Sequence, residues 1–255
     1  MIRFSSVTKH YGEKVAVSSL DLAVRPGEIF AFLGPNGAGK TTSIKMMIGL
    51  LHPTAGTIEL NGFDVMSNPR EAKRSIGFVP DQPELYDKLT GREFLRFVAD
   101  MHGLSPTDAT ASIEEQAANF NLTEFYDKLT EDYSHGMKQR VAFAAALIHD
   151  PAVVILDEPM VGLDPKSMRL VKDLLKRRAA RGKTVFMSTH TLTVAEEIAD
   201  RIGVINHGKL LFLGTCEELK THLEANNQSS ENASLEDLFL TLTNEETLTS
   251  DEVKH

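Results

Sequence analysis

Gly34-Pro35-Asn36-Gly37-Ala38-Gly39-Lys40-Thr41-Thr42 follows directly on the apolar run Ile29-Phe30-Ala31-Phe32-Leu33. This predicts a buried strand, a glycine-rich loop and a helix beginning near Lys40, the order that a phosphate-binding loop requires. Glycines let consecutive backbone N–H groups turn inward around a β-phosphate, and the helix N-terminus adds its dipole. Lys40 neutralises β- and γ-phosphate charge, and the Thr41 hydroxyl can ligate Mg²⁺. The plain alternative is a glycine-rich turn ahead of an ordinary helix. With average residue frequencies the full pattern arises by chance in on the order of one such chain in a hundred.

A second carboxylate-bearing segment is Val153-Val154-Ile155-Leu156-Asp157-Glu158-Pro159, where two acids end a continuous apolar strand. Ligands of a parallel sheet bind beyond the carboxyl ends of its strands, which puts these acids beside the phosphate loop. Asp157 then suits Mg²⁺, directly or through water, and Glu158 suits the role of general base toward an attacking water. Taken alone, the pair would read equally well as a solvated strand end.

Outward from these segments, strand-like and helix-like stretches alternate, the pattern of an α/β domain with a largely parallel sheet. The opening differs: residues 2–8, 14–24 and 57–65 read as strands separated by turns such as Arg25-Pro26-Gly27-Glu28, predicting an antiparallel layer beside the main sheet. Between about 90 and 150 the pattern is helical, starting with a Thr90/Glu93 capping box ahead of Phe94, Leu95, Phe97, Val98 and Met101. Strands resume at 152–156, 184–188 and 202–206. Between the first two, Asp164 as N-cap and Pro165 at the first helical position open a helix that Gly182 ends.

The 255 residues are 42% hydrophobic and 25% charged, ordinary globular values, and no apolar run approaches the ~18 residues of a membrane span. The start, Met1-Ile2-Arg3-Phe4-Ser5, enters polar sequence without the apolar stretch of a secretory signal, so a cytosolic home is expected. A single cysteine, Cys216, cannot form an intrachain disulfide or a cysteine metal cluster. Net charge is −9, but residues 216–255 hold ten Asp or Glu against Lys220 and Lys254, and the first 215 residues are nearly neutral. Without basic excess, sequence-independent nucleic-acid binding is not expected. The acidic end reads as a solvated tail with one foldable piece, a short helix at about 235–242 in which Leu235, Leu238, Phe239 and Leu242 share a face.

Together with Tyr133-Ser134-His135-Gly136-Met137-Lys138-Gln139-Arg140 and Ser188-Thr189-His190, these motifs, in their order and spacing over residues 2–215, resemble the nucleotide-binding subunit of ABC transporters. The resemblance implies a P-loop NTPase fold of class α/β, with a mainly parallel sheet, an N-terminal antiparallel β layer and an inserted helical subdomain at about 86–150. The ATPase domain would be 1–215 and the acidic tail 216–255. It implies ATP and Mg²⁺ as cofactors and a second cassette, of the same or a different chain, closing head to tail around two ATP molecules. Gly34, Pro35, Asn36, Gly37, Ala38, Gly39, Lys40, Thr41 and Thr42 would hold the phosphates. Ser134 and the Gly136 N–H would contact a γ-phosphate in trans, His190 would contact it in cis, and Tyr11 would stack on adenine. Alone, His190 reads as a structural histidine and Tyr11 as a surface aromatic.

Four positions depart from the family pattern. His135 and Met137 stand where glycine and glutamine are usual, and Val161 stands where serine is usual. Asp81 occupies the usual glutamine position, where a carboxylate can ligate Mg²⁺ but cannot donate as an amide does, unless Gln82 fills the role by a one-residue shift. The Pro80-Asp81 pair and the Ser-x-Gly-Met signature are similar to the export-type (ABC-2-like) subgroup. The expected role is to power an integral membrane permease from its cytoplasmic face, with Leu85, Tyr86 and Leu89 either touching that partner or packing within the helical subdomain. The alternative is a soluble ABC ATPase of assembly or remodelling.

Overall fold

The computed structural model describes residues 1–226, so the helix expected at about 235–242 lies outside the described residues. The apolar run forms β3 (Ile29–Leu33), buried along its whole length, as a central strand of a parallel sheet must be. Across the six-stranded sheet the order is β10 (Lys209–Gly214), β9 (Arg201–Asn206), β3, β8 (Thr184–Thr189), β7 (Val153–Asp157) and β6 (Ile76–Val79). All neighbours are parallel except β9 and β10, an antiparallel hairpin turned by His207 and Gly208 at φ 45° and 77°. Register decides what the sheet can do. Leu33 pairs with Thr189 and Asp157 with Ser188, so the ends of β3, β7 and β8 finish on one edge.

The antiparallel layer has the order β2 (Lys14–Val24), β1 (Ile2–Tyr11), β4 (Ala55–Leu60), β5 (Phe63–Asp64). The stretch read as one strand over 57–65 is two strands. Asn61 and Gly62, at φ 51° and 88°, turn the chain between Leu60 and Phe63, the tight hairpin that an Asn-Gly pair favours. Side-chain alternation along β3 sorts the core. Phe30 and Phe32 face the antiparallel layer and α1 (Lys40–Met47), with Phe186 5.7 and 5.5 Å from them by ring centroids. Ile29, Ala31 and Leu33 face the helices on the other side.

After α2 (Pro69–Arg74), the chain between β6 and β7 carries α3 (Gly91–Met101), α4 (Pro106–Asn119) and α5 (His135–Leu147). Both bonds of the capping box form at α3: Glu93 N–H donates to Thr90 Oγ1 at 3.2 Å, and Thr90 N–H donates to Glu93 Oε2 at 2.8 Å. Strand β6 is not evident from sequence because Gly77 interrupts it. The structure supplies the reason: α5 lies so close that a Cβ at Gly77 would stand 2.0 Å from the Ala146 carbonyl oxygen. Asp164 caps α6 (Pro165–Ala180) by accepting from the N–H groups of Lys166 and Ser167. α7 (Leu192–Ile198) follows β8, and α8 (Cys216–Asn226), within the stretch read as the acidic tail, buries Leu219. Among the described residues no helix is long and apolar enough to cross a membrane.

Candidate active site

A cleft of about 1230 Å³ opens where the sheet edge meets the antiparallel layer. Its lining gathers Tyr11 from β1, Pro35, Asn36, Gly37, Ala38, Gly39, Lys40, Thr41 and Thr42 from the phosphate loop, Asp81, Asp157 at the end of β7 and Glu158 just after it. Gly34 lies at the base of the loop. A Cβ there would stand 2.3 Å from the Ile205 carbonyl oxygen, and one at Gly39 would stand 2.6 Å from that of Ala16. Gly37 and Gly39 also hold φ of 83° and 113°, a region that strongly favours glycine. Gly208 N–H binds the Ala38 carbonyl at 2.8 Å, fixing the loop from the β9–β10 hairpin. The first N–H groups of α1 belong to those that a helix cannot satisfy itself, and with Lys40 they make a donor set suited to phosphate oxygens.

Lys40 is buried, and its Nζ donates to the carbonyls of Gly34 at 2.6 Å and Pro35 at 3.3 Å. It also lies 3.5 Å from Glu158 Oε1, while the other oxygen, Oε2, is 3.0 Å from Nδ1 of His190. Glu158 itself has φ 47°, an uncommon conformation for a residue with a side chain. Its N–H donates to Ser188 Oγ at 3.1 Å, and Ser188 Oγ in turn donates to Asp157 Oδ1 at 2.6 Å. One serine of β8 therefore orients both acids.

Burial pushes the Asp157 carboxyl above the ordinary range; the hydrogen bond from Ser188 opposes this, the charges of Glu158 and Asp81 add to it, and a hydrogen bond with Thr41 also opposes it. A divalent cation would relieve this crowding, so the donors present fit Mg²⁺. Among the described residues no group of three or more His, Cys, Asp or Glu forms a metal cage. Mg²⁺ does not require one, because it is usually held by one or two carboxylates, waters and substrate phosphates.

Tyr11 is 48% exposed at the end of β1, with Lys9 Nζ 5.3 Å from its ring centroid. Ser134 and Gly136 do not line the cleft of their own chain. Ser134 caps α5, accepting the Met137 N–H at 3.4 Å, and the neighbouring His135 ring lies against Gly162. The sequence reading missed Lys14, Val15, Ala16, Asn206 and His207, which also line the cleft. They arrive from β2 and the β9–β10 turn by sheet pairing, and no local motif marks them. Gln82 lines the cleft beside Asp81.

A parallel sheet carrying a phosphate loop after β3, with two acids at the end of β7 one strand beyond β8, defines a P-loop nucleotide hydrolase. The ABC transporter family model matches residues 17–161, more than half of the chain, and the chain belongs to that family. It is 41% identical over 213 residues to the Nod factor export ATP-binding protein I of Burkholderia orbicola, covering 84% of this chain and 70% of that protein. It is also 41% identical to the bacitracin transport ATP-binding protein BcrA of Bacillus licheniformis, covering 83% and 68%. A solved ATP-binding subunit of an ABC transporter superposes with TM-score 0.87 at 30% identity, covering 95% and 99% of the two chains. A dimeric ATP-binding cassette in a post-hydrolysis state bound to ADP and Pi superposes with TM-score 0.75 at 28% identity, covering 84% and 98%. The chain is an ATPase subunit of the export-type group, and it binds ATP.

Proposed function

We propose that this subunit dimerises around two Mg-ATP and drives a separate membrane-spanning exporter subunit. The carrying observation is the position of Glu158, held between Lys40 and His190 at the end of β7. Glu158 acts as general base toward the attacking water, and His190 holds the γ-phosphate side of the site. The loop from Gly34 to Thr42, with Lys40, binds the phosphates, and Tyr11 stacks on the adenine. Thr41, Asp157 and Asp81 hold Mg²⁺, which when bound neutralises phosphate charge. Ser134 and Gly136 serve the opposite cassette, in keeping with their absence from their own chain's cleft.

The membrane partner is reached through the surface around Tyr86, which is 57% exposed with its ring edge-on to Phe94 and Phe97. Leu85 packs inward against the core. Attachment is peripheral, on the cytoplasmic side, and the permease selects the substrate. Glu158→Gln tests the reading because it keeps the shape of the site and removes the base. Mg-ATP should bind, hydrolysis should nearly stop, and dimer should accumulate in sedimentation with ATP. Parental hydrolysis would exclude Glu158 as the base. Recovery of the chain with a membrane protein tests the partner, and recovery only in soluble fractions would favour an assembly or remodelling ATPase.

A further inference from the structure

We propose that His135 is a positioning residue for the hydrolytic centre: its imidazole seats on Gly162 and holds the turn Val161–Asp164 that supports the Glu158 backbone. The inference rests on Glu158 being the base. A Cβ built at Gly162 would stand 2.4 Å from Cδ2 and 2.8 Å from Nε2 of His135, so the ring occupies the space that a side chain there would need. A Cβ at Gly136 would stand 3.8 Å from the Gly162 carbonyl oxygen. Residues 135 and 136 thus bear on the turn within one chain.

The turn is tied to the base. Val161 N–H donates to the Glu158 carbonyl at 3.2 Å, and Leu163 N–H donates to that of Met160 at 3.4 Å. Glu158 holds a left-handed φ of 47°, which persists only where its surroundings enforce it. On one side the enforcement is the buried Ser188 hydroxyl. On the other side it is this turn, whose Val161 and Gly162 are both exposed, and His135 packs on it from outside. Glycine, usual at position 135 in the family the chain resembles, has no side chain with which to make this contact. Loosening the turn lets the Glu158 carboxylate drift from the water it must orient, while the phosphate loop stays intact. The loss therefore belongs in kcat and not in binding.

The experiment measures steady-state ATPase of His135→Ala, Gly162→Ala, their double variant and His135→Phe, with Glu158→Gln as reference. His135→Ala should lower kcat about tenfold and leave KM for Mg-ATP within about twofold. Gly162→Ala both displaces the exposed ring and places a side chain at φ 76°, so its loss should equal or exceed that of His135→Ala, and the double variant should be no worse than Gly162→Ala alone. His135→Phe, a flat ring without the imidazole nitrogens, should stay within about twofold of the parent. Additive losses, a rise in KM at constant kcat, or failure of phenylalanine to rescue would each overturn the proposal and assign the ring to nucleotide or to the opposite cassette. A parental rate for His135→Ala would overturn it too. A parental rate for Glu158→Gln would remove the base assignment itself, whatever pattern the position 135 and 162 variants give.

Discussion

Lys40 Nζ stands 3.5 Å from Glu158 Oε1, so the cation of the phosphate loop and the acid after β7 are paired across the cleft. Arriving phosphates compete for that ammonium with the carboxylate and with the carbonyls of Gly34 and Pro35. On the proposed roles of the two residues, nucleotide binding and release of Glu158 toward water are parts of one exchange.

Lys40→Ala removes a charge-assisted contact worth about 1.5 to 3 kcal/mol, which predicts ATP affinity roughly tenfold to hundredfold weaker and no turnover. Nucleotide titration with a hydrolysis assay checks it. Unchanged affinity together with unchanged hydrolysis would sink the phosphate-loop assignment.

Asp81 is near enough to Asp157 for its charge to push that carboxyl upward. Asp81→Ala should lower hydrolysis or raise the Mg²⁺ requirement, and Asp81→Gln should retain more activity. Mg²⁺ titrations of the ATPase measure both. If Gln82→Ala has the larger effect while both Asp81 variants match the parent, the role belongs to Gln82.

The proposed composite site predicts complementation. Ser134→Arg and Lys40→Ala should each be inactive as homodimers, yet a mixed dimer restores one site, with a good loop from the first chain and a good signature from the second. ATP-dependent dimer should reappear on mixing, with some hydrolysis if one site can turn over alone. Absence of that dimer, with mixed dimers otherwise able to form, would mean that Ser134 acts within its own chain.

His149 predicts an acid-side loss of stability. Its ring stacks on His102 at a centroid distance of 3.6 Å, and its Nε2 lies 3.0 Å from the Ile76 carbonyl oxygen. Burial, then the neighbouring His102, lowers its titration from 6.5 to about 4. A histidine depressed in the folded state is protonated first in the unfolded chain, so stability is full above pH about 6.5 and falls as pH drops toward about 4. His149→Phe keeps a ring against His102 and should flatten that slope in denaturant titrations between these pH values. An unchanged slope would assign the loss to other groups.

The cleft-lining edge was legible because its motifs are local. The glycines of the phosphate loop, the acids ending Val153–Leu156 and the Asp164-Pro165 helix start each carry their physics within a few residues. What was not legible arises from contacts distant in sequence. Strand β6 was hidden by Gly77, whose reason is the approach of Ala146. The turn at Asn61-Gly62 lies inside the alternating, strand-like stretch 57–65, where the alternation masks it although both residues favour positive φ. Ala16 and His207 reach the cleft only through the pairing of strands, and nothing near them in the chain marks them as lining residues.

The close approaches of Ala16 to Gly39 and of Ile205 to Gly34 mean that the phosphate loop is clasped by backbone from both sheets. The loop holds its shape only while the two sheets are correctly docked, although it belongs in sequence to neither clasping strand. The shape of the phosphate loop is thereby coupled to interlayer assembly. Truncations at Ile2 or Phe4, buried where the antiparallel layer meets the main sheet, should therefore weaken nucleotide retention along with stability.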